Sequence, residues 1–373
     1  MTNVPKLEIA VFEGDGIGTE ITAPCLDLLT AAAEQVGGFT LAFTPLPAGA
    51  GTYRMEGIAL PQESLTAAAE ADAILLAAMG LPDIRYPDGT EVAPQLELRF
   101  AFGLYAGVRP VRRIPGLAPV LTDPRASDLD FVLIRESTEG LFASRGKGVI
   151  EDDREARDTQ VITRPVCERL FDFAFALAAK RRAAGHPGRV TCVDKANVFK
   201  SFAFFRQVFD ERAALHRDIP ADHAYVDATA LNMVRRPWDL DVLVTENMFG
   251  DILSDLAAGL IGGMGMAPSA DIGDEHAVFQ PCHGSAPDIA GQGKANPTAM
   301  FLSAAMMLEW LAETRDVPPC AEAGAAIRAA VDQAYAGATL IPADLGGSSG
   351  TAEVSKAVMD ALCHPQVPVT AAL

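Results

Sequence analysis

The chain has 373 residues, 49% of them apolar and 21% charged, and a formal net charge of −19. That length is long for one hydrophobic core and predicts two domains; so negative a chain offers no basic field to nucleic acid or to an anionic membrane. Six scattered cysteines without CxxC spacing argue against a zinc site or a disulfide framework. With no apolar run near the ~18 residues of a membrane span, a cytoplasmic protein is expected.

Residues 7–13 read as a buried strand that stops at Gly14-Asp15-Gly16-Ile17-Gly18. A helix with Ile21, Cys25, Leu28 and Leu29 on one face follows. The glycines fall as GxGxG and not GxGxxG, and no acid ends a second strand about twenty residues on, so this is not a conventional dinucleotide fingerprint. Residues 73–79 form a second buried strand, ending at Gly80. A polar, proline-containing loop (81–94) leads to a short helix at 95–100, and Gly107-Val108-Arg109-Pro110 closes the unit.

A Pro/Gly-rich connector, 111–124, precedes a strand at 130–135. Residues 146–164 are too polar for a core and read as a surface arm or loop with a β-like end at Val161-Ile162-Thr163. An amphipathic helix (165–182) follows, then a strand (189–193), a helix (201–215), a strand near Tyr225-Val226, a short helix through Leu231 and a strand at 241–245. From Asn247 onward Ile252, Leu256 and Leu260 recur at helical spacing. This alternation is the mark of an α/β fold. Beyond the flexible join Gly262-Gly263-Met264-Gly265, Asn296 and Pro297 predict the cap and first residue of a helix to Leu311. Helices at 321–335 and 351–362 complete the chain.

Asp251 and Asp255 are four residues apart, so a helix places both carboxylates on one face, with no Lys or Arg four positions away to offset them. A hard divalent cation would resolve the repulsion; a solvated acidic face is the bland alternative. Asp227, after a strand, is a third oxygen ligand or a helix N-cap. Arg99, Arg109 and Arg135 sit at the ends of apolar elements, and three guanidinium forks suit a substrate with two carboxylates. Lys195 follows a buried strand; beside a cation its ammonium would be destabilised and could carry a proton. His283 lies in a turn, Cys282-His283-Gly284-Ser285-Ala286-Pro287-Asp288, with ring and carboxylate groups free for a ligand. No GxSxG or HExxH motif supports a hydrolase.

In this order the motifs resemble the β-decarboxylating dehydrogenases, the isocitrate/isopropylmalate family, over nearly the whole chain. They are Gly14 to Gly18, Leu98-Arg99, Arg109-Pro110, Arg135-Glu136, Asp194-Lys195-Ala196-Asn197, Asn247 to Asp255, His283 to Asp288 and Asn296-Pro297. The resemblance implies an α/β, two-domain isopropylmalate-dehydrogenase-like fold, both domains being mixed sheets flanked by helices, with a dimer clasp arm at 143–164. One domain is the cofactor side, residues 1–105 and 262–373; the other, 106–261, carries dimerisation and the metal and substrate groups. By matching positions, Arg99, Arg109, Arg135, Gln95 and Asn197 would bind a small dicarboxylate, and Asp251, Asp255 and Asp227 would bind Mg²⁺ or Mn²⁺. Lys195 and Asp227 would be catalytic, and these two with Asn197 would come from the second subunit of a homodimer or larger assembly. His283, Gly284, Ser285, Ala286, Asp288 and Asn296 would hold NAD, Asp288 favouring ribose hydroxyls over an NADP phosphate.

Two departures stand out. Phe142 occupies the place of a family tyrosine associated with protonating the enolate carbon, which makes completed decarboxylation less secure than hydride transfer. Gln95 stands where isopropylmalate enzymes have a leucine, which favours a small or polar substituent such as that of D-malate or tartrate. 3-Isopropylmalate is the alternative substrate, and a non-catalytic regulatory subunit the alternative class.

Overall fold

The computed structural model describes residues 4–365; the outermost positions of the expected cofactor-side unit, 1–3 and 366–373, lie outside the described residues. The chain opens with β1 (Lys6–Gly14), α1 (Gly18–Val36), β2 (Thr40–Pro45), α2 (Ala50–Glu56), α3 (Gln62–Glu70) and β3 (Ala73–Ala78). Next come α4 (Pro94–Ala101), β4 (Ala106–Arg112), β5 (Asp130–Glu136), a hairpin of β6 (Val149–Glu151) and β7 (Glu155–Arg157), and α5 (Arg164–Ala183). The middle continues through β8 (Val190–Asp194), α6 (Lys200–Ala213), β9 (Ala221–Tyr225), α7 (Val226–Arg235), β10 (Val242–Thr245) and α8 (Asn247–Leu260). The last part holds β11 (Pro268–Ile272), β12 (Ala277–Pro281), α9 (Thr298–Thr314), α10 (Pro319–Ala336) and α11 (Thr351–Cys363).

Ten strands form one mixed sheet in the order β2-β1-β3-β12-β11-β4-β5-β10-β8-β9. The flanking pairs are parallel, and the antiparallel run lies in the middle, where β4 pairs with β5 on one side and β11 on the other. Strands from the two ends of the chain make one half of the sheet and strands between residues 106 and 245 the other, meeting at β4 and β11. β3 (Ala-Ile-Leu-Leu-Ala-Ala) and β10 are buried along their whole lengths, as expected of strands covered on both faces.

Several elements went unread in the sequence: β2, α2 and α3, and the β11–β12 hairpin. β11 reads Pro-Ser-Ala-Asp-Ile and is fully buried, but a proline and an aspartate in five residues give no strand signal. The polar arm is the exposed β6–β7 hairpin, turned by Asp152 and Asp153 at φ 51° and 53°, the left-handed pair that a tight two-residue turn requires. Its β-like end contributes one bridge, Val161 to Gly140. Asn296 lies one residue outside the expected cap position: α9 starts at Thr298, whose N–H donates to Asn296 Oδ1 at 3.1 Å.

Candidate active site

Alternate residues of a strand face opposite sides of a sheet. On the central strands Arg109, Ser269 and Gln280 face a cleft of about 270 Å³, while Val108, Pro110, Ala270, Ile272 and Phe279 face a largely apolar groove behind it. α4 brings Gln95 and Arg99 to the cleft, β5 brings Arg135, α8 brings Asp251 and Asp255, and the turn after β12 brings His283 and Gly284. Phe142 also lines it.

Arg135 is clamped from below. Its Nε and Nη2 donate to Asn247 Oδ1 at 3.0 and 2.7 Å, and its Nη1 pairs with Asp251. Its guanidinium carbon lies 5.1 Å from the centroid of the Phe142 ring, a cation–π distance. α8 can approach this closely because residue 250 is glycine: a Cβ there would fall 2.5 Å from Arg135 Cγ. Burial, then the neighbouring Arg99 charge, brings the Arg135 pKa down to about 10 against the opposing pull of Asp251. α8 is capped by Glu246, whose carboxylate accepts the N–H of Phe249 (2.8 Å) and Met248 (3.2 Å).

On α8, burial and then the Asp251 charge push the Asp255 carboxyl above its ordinary range. A crowded pair of carboxylates is a donor set for a hard cation, which takes oxygen ligands and relieves the repulsion. Among the described residues no group of three His, Cys, Asp or Glu side chains comes together as a metal site, so the oxygens of one chain supply only part of an octahedron.

Asp271, on β11, was not anticipated. It accepts from Arg99 Nε (3.0 Å), Arg109 Nη2 (3.4 Å), Ser137 Oγ (3.3 Å) and Gln280 Nε2 (2.7 Å), and its side chain is 1% exposed. Burial pushes its pKa up, but Arg99, Arg109 and Arg135 together outweigh burial and hold it below the usual carboxylate range. Gly107 makes room, since a Cβ there would lie 3.0 Å from Asp271 Oδ1 and 2.6 Å from Ser137 Oγ. Beside this network, the Gln95 Oε1 is buried with no hydrogen-bond partner.

The turn after β12 is braced against the N-terminal glycine-rich turn. Ile17 N donates to Ser285 O at 2.8 Å, and Ser285 Oγ donates to Gly80 O. Asp15 does not face a ligand: its carboxylate accepts the N–H groups of Ala50 (2.8 Å), Gly51 (2.7 Å) and Gly80 (2.8 Å). Ala286 sits at φ 36°, Asp288 is exposed, and Asn296 Nδ2 donates to the Asp344 carboxylate at 3.3 Å. His283 bonds Gly284 O through Nδ1 (2.9 Å), and its enclosed Nε2 has no partner. Burial lowers its pKa, so the ring is neutral and that nitrogen is an unused acceptor, which fits a cofactor that brings a donor.

Lys195, Asn197 and Asp227 do not line the cleft. Lys195 Nζ donates to Asp227 Oδ1 at 2.6 Å, with side chains 25% and 69% exposed. Asp227 is inside the first turn of α7, whose N-cap is Tyr225, so it does not cap the helix; the hydrogen bond from Lys195 lowers its pKa. Asn197 is exposed. Large apolar side chains surround this region, with Val198, Phe199, Leu231 and Val234 about half exposed, and Ile252 lies exposed beside Asp251.

Residues 8–358 match the family model described as isocitrate/isopropylmalate dehydrogenase. The chain is 41% identical over 352 residues to the "3-isopropylmalate/3-methylmalate dehydrogenase" of Methanocaldococcus jannaschii, covering 94% of this chain and 97% of that protein. It is 36% identical over 363 residues to the "probable tartrate dehydrogenase/decarboxylase" of Bacillus subtilis, covering 96% and 98%. The crystal structure of isocitrate dehydrogenase from Methylococcus capsulatus superposes with a TM-score of 0.83 at 36% identity, over 95% of this chain and 99% of that one.

Proposed function

This chain belongs to the isocitrate/isopropylmalate dehydrogenase family, and we propose from that premise that its substrate is a D-malate with a hydrogen or a small polar group at carbon 3, as in D-malate or tartrate. The family places it among the oxidative, decarboxylating hydroxyacid dehydrogenases. The observation that carries the substrate reading is Gln95 Oε1, an enclosed acceptor in the cleft without a donor. A substituent hydroxyl satisfies it directly and a hydrogen leaves room for a water to do so, whereas an isopropyl group leaves it unpaired at about 1–3 kcal/mol.

Arg99, Arg109 and Arg135 take the two substrate carboxylates as planar forks. Asp251 and Asp255 hold Mg²⁺ or Mn²⁺ together with Asp227 of a second copy of the chain, and His283, Gly284, Ser285, Ala286, Asp288 and Asn296 hold NAD. When bound, NAD accepts the hydride, and the cation stabilises the oxyanion that develops as CO₂ leaves. Lys195 of the second copy takes the hydroxyl proton, and Asn197 orients the substrate. Phe142 packs against Arg135 and has no proton to give, so another group or water protonates the enolate carbon.

The two-subunit arrangement is supported by the exposed apolar side chains on both sides of the divided site. It is also supported by the exposed hairpin of residues 149–157, since an isolated two-stranded hairpin is at best marginal in water. We take the cofactor-side unit to be 1–105 and 262–373 and the other unit to be 106–261 with its arm (143–164); described residues of both line the cleft. Among the described residues no helix is long and apolar enough to cross a membrane, and all six cysteines are free thiols.

The test is a substrate panel with Mn²⁺ and either NAD or NADP: D-malate, tartrates, 3-isopropylmalate, isocitrate and homoisocitrate, with NADH and CO₂ measured together. D-malate or tartrate should turn over fastest. Fast turnover of 3-isopropylmalate alone, the activity for which several relatives are named, overturns the Gln95 argument. No NADH from any member favours a binding subunit without catalysis.

A further inference from the structure

Charges around the cleft can be counted. Arg99, Arg109 and Arg135 contribute three positive charges and Asp271 one negative. Asp251 and Asp255 together offset a divalent cation, Lys195 and Asp227 brought by the second copy offset each other, Glu91 is paired with Arg85 at 3.5 Å, and His283 is neutral. The substrate end of the cleft therefore carries two net positive charges.

We propose that Asp271 sets this count, cancelling one arginine charge so that the cleft matches a substrate with two carboxylates and disfavours one with three. The proposal rests on the reading of this cleft as a dicarboxylate site and names the residue that enforces it. Every contact that Asp271 makes is with a donor, so the carboxylate is ionised and its charge is fixed. Hydrogen bonding alone does not require that charge: an asparagine could accept from Arg99 or Arg109 while the Gln280 amide turned over to accept from it. Gln280, the cleft-lining donor to Asp271 at 2.7 Å, is neutral and leaves the count unchanged. Asp271 is thus a positioning residue for two arginines and, independently, a specificity determinant through its charge.

The experiment uses two inert probes on the cofactor-free protein with Mg²⁺ present, succinate with two carboxylates and tricarballylate with three. Calorimetry gives their affinity ratio in the wild type, Asp271→Asn and Asp271→Ser. One charge within a few ångströms moves an ionic equilibrium by about ten- to a thousandfold, so Asp271→Asn should raise the tricarballylate-to-succinate ratio about tenfold or more. Asp271→Ser, which removes the same charge with a smaller side chain, should raise the ratio too, which keeps the test open if the first variant folds poorly. Isocitrate should gain on D-malate in kcat/KM in Asp271→Asn by a similar factor. An unchanged ratio in both variants, or equal loss of both probes, overturns the proposal and leaves Asp271 a structural acid. Binding of neither probe to the wild type overturns it too. Failure of the substrate reading appears separately, as a wild type whose binding ratio responds to the variants while no malate derivative is oxidised.

Discussion

Two cationic regions of this chain differ in how far one copy finishes them. Beneath the cleft, three buried arginines all meet acceptors from their own chain: Asp271 for Arg99 and Arg109, Asn247 and Asp251 for Arg135. At the surface, Lys195 and Asp227 pair with each other, amid exposed apolar side chains. A buried charge without partners is ruinous, so the arginine cluster has to be completed when the chain folds. An exposed ion pair has little influence on stability and can be left for assembly to place.

The largest effect that would test this contrast is at the lysine. Lys195→Met should lower kcat by about 10²–10⁴ and leave the melting temperature where it was; unchanged turnover would remove Lys195 from the reaction. Co-folding Lys195→Met with Asp255→Asn chains should then restore activity that neither variant has alone, because a mixed assembly contains one site with both residues intact. No recovery would mean that each site is built within a single chain.

At the finished region, stability and binding should fall together. Arg109→Met removes one partner of a buried network, and denaturant unfolding should show a loss of about 3–5 kcal/mol, accompanied by a higher KM for dicarboxylates. Unaltered stability would show that the cluster is not what holds β4 to β11. A smaller effect is expected at the cleft wall. Gln95→Leu should shift selectivity from D-malate or tartrate toward 3-isopropylmalate by about 5- to 150-fold, corresponding to 1–3 kcal/mol, read as a ratio of kcat/KM values. The smallest lies under the metal-facing helix, where Glu246→Ala removes a cap and should cost about 1 kcal/mol of unfolding free energy. A fall in stability without a change in Mn²⁺ dependence would confine Glu246 to capping.

Much of this was legible locally. The apolar runs of β1, β3 and β10, the helix α8 and the Asp251–Asp255 pair are properties of short windows, and the structure keeps them, although the face that α8 buries runs through Leu253, Ala257 and Leu260 and leaves Ile252 exposed. Arg99, Arg109 and Arg135 stood out because each ends an apolar element, and they do meet in one cleft. β11 and β12 were silent, and with them Asp271 and Gln280, because a strand containing proline and aspartate is a strand only by virtue of its neighbours. Asp15 was silent too: nothing in its glycine-rich turn foretold that its carboxylate would accept three backbone N–H groups, two of them from α2.

By itself, then, the amino-acid order determined the α/β alternation, the positions of the cationic and acidic side chains, and the family to which the chain belongs. The first two follow from periodicity or spacing within a few turns of chain, and the third from the resemblance that the motifs carry by their order along nearly its whole length. Only the tertiary structure decided which charges cancel. Arg99 and Asp271 are 172 residues apart and in contact, and Lys195 and Asp227 face the surface together and away from the cleft. Charge pairing depends on distance and burial, and for residues so far apart in the chain those quantities do not exist until the sheet has formed.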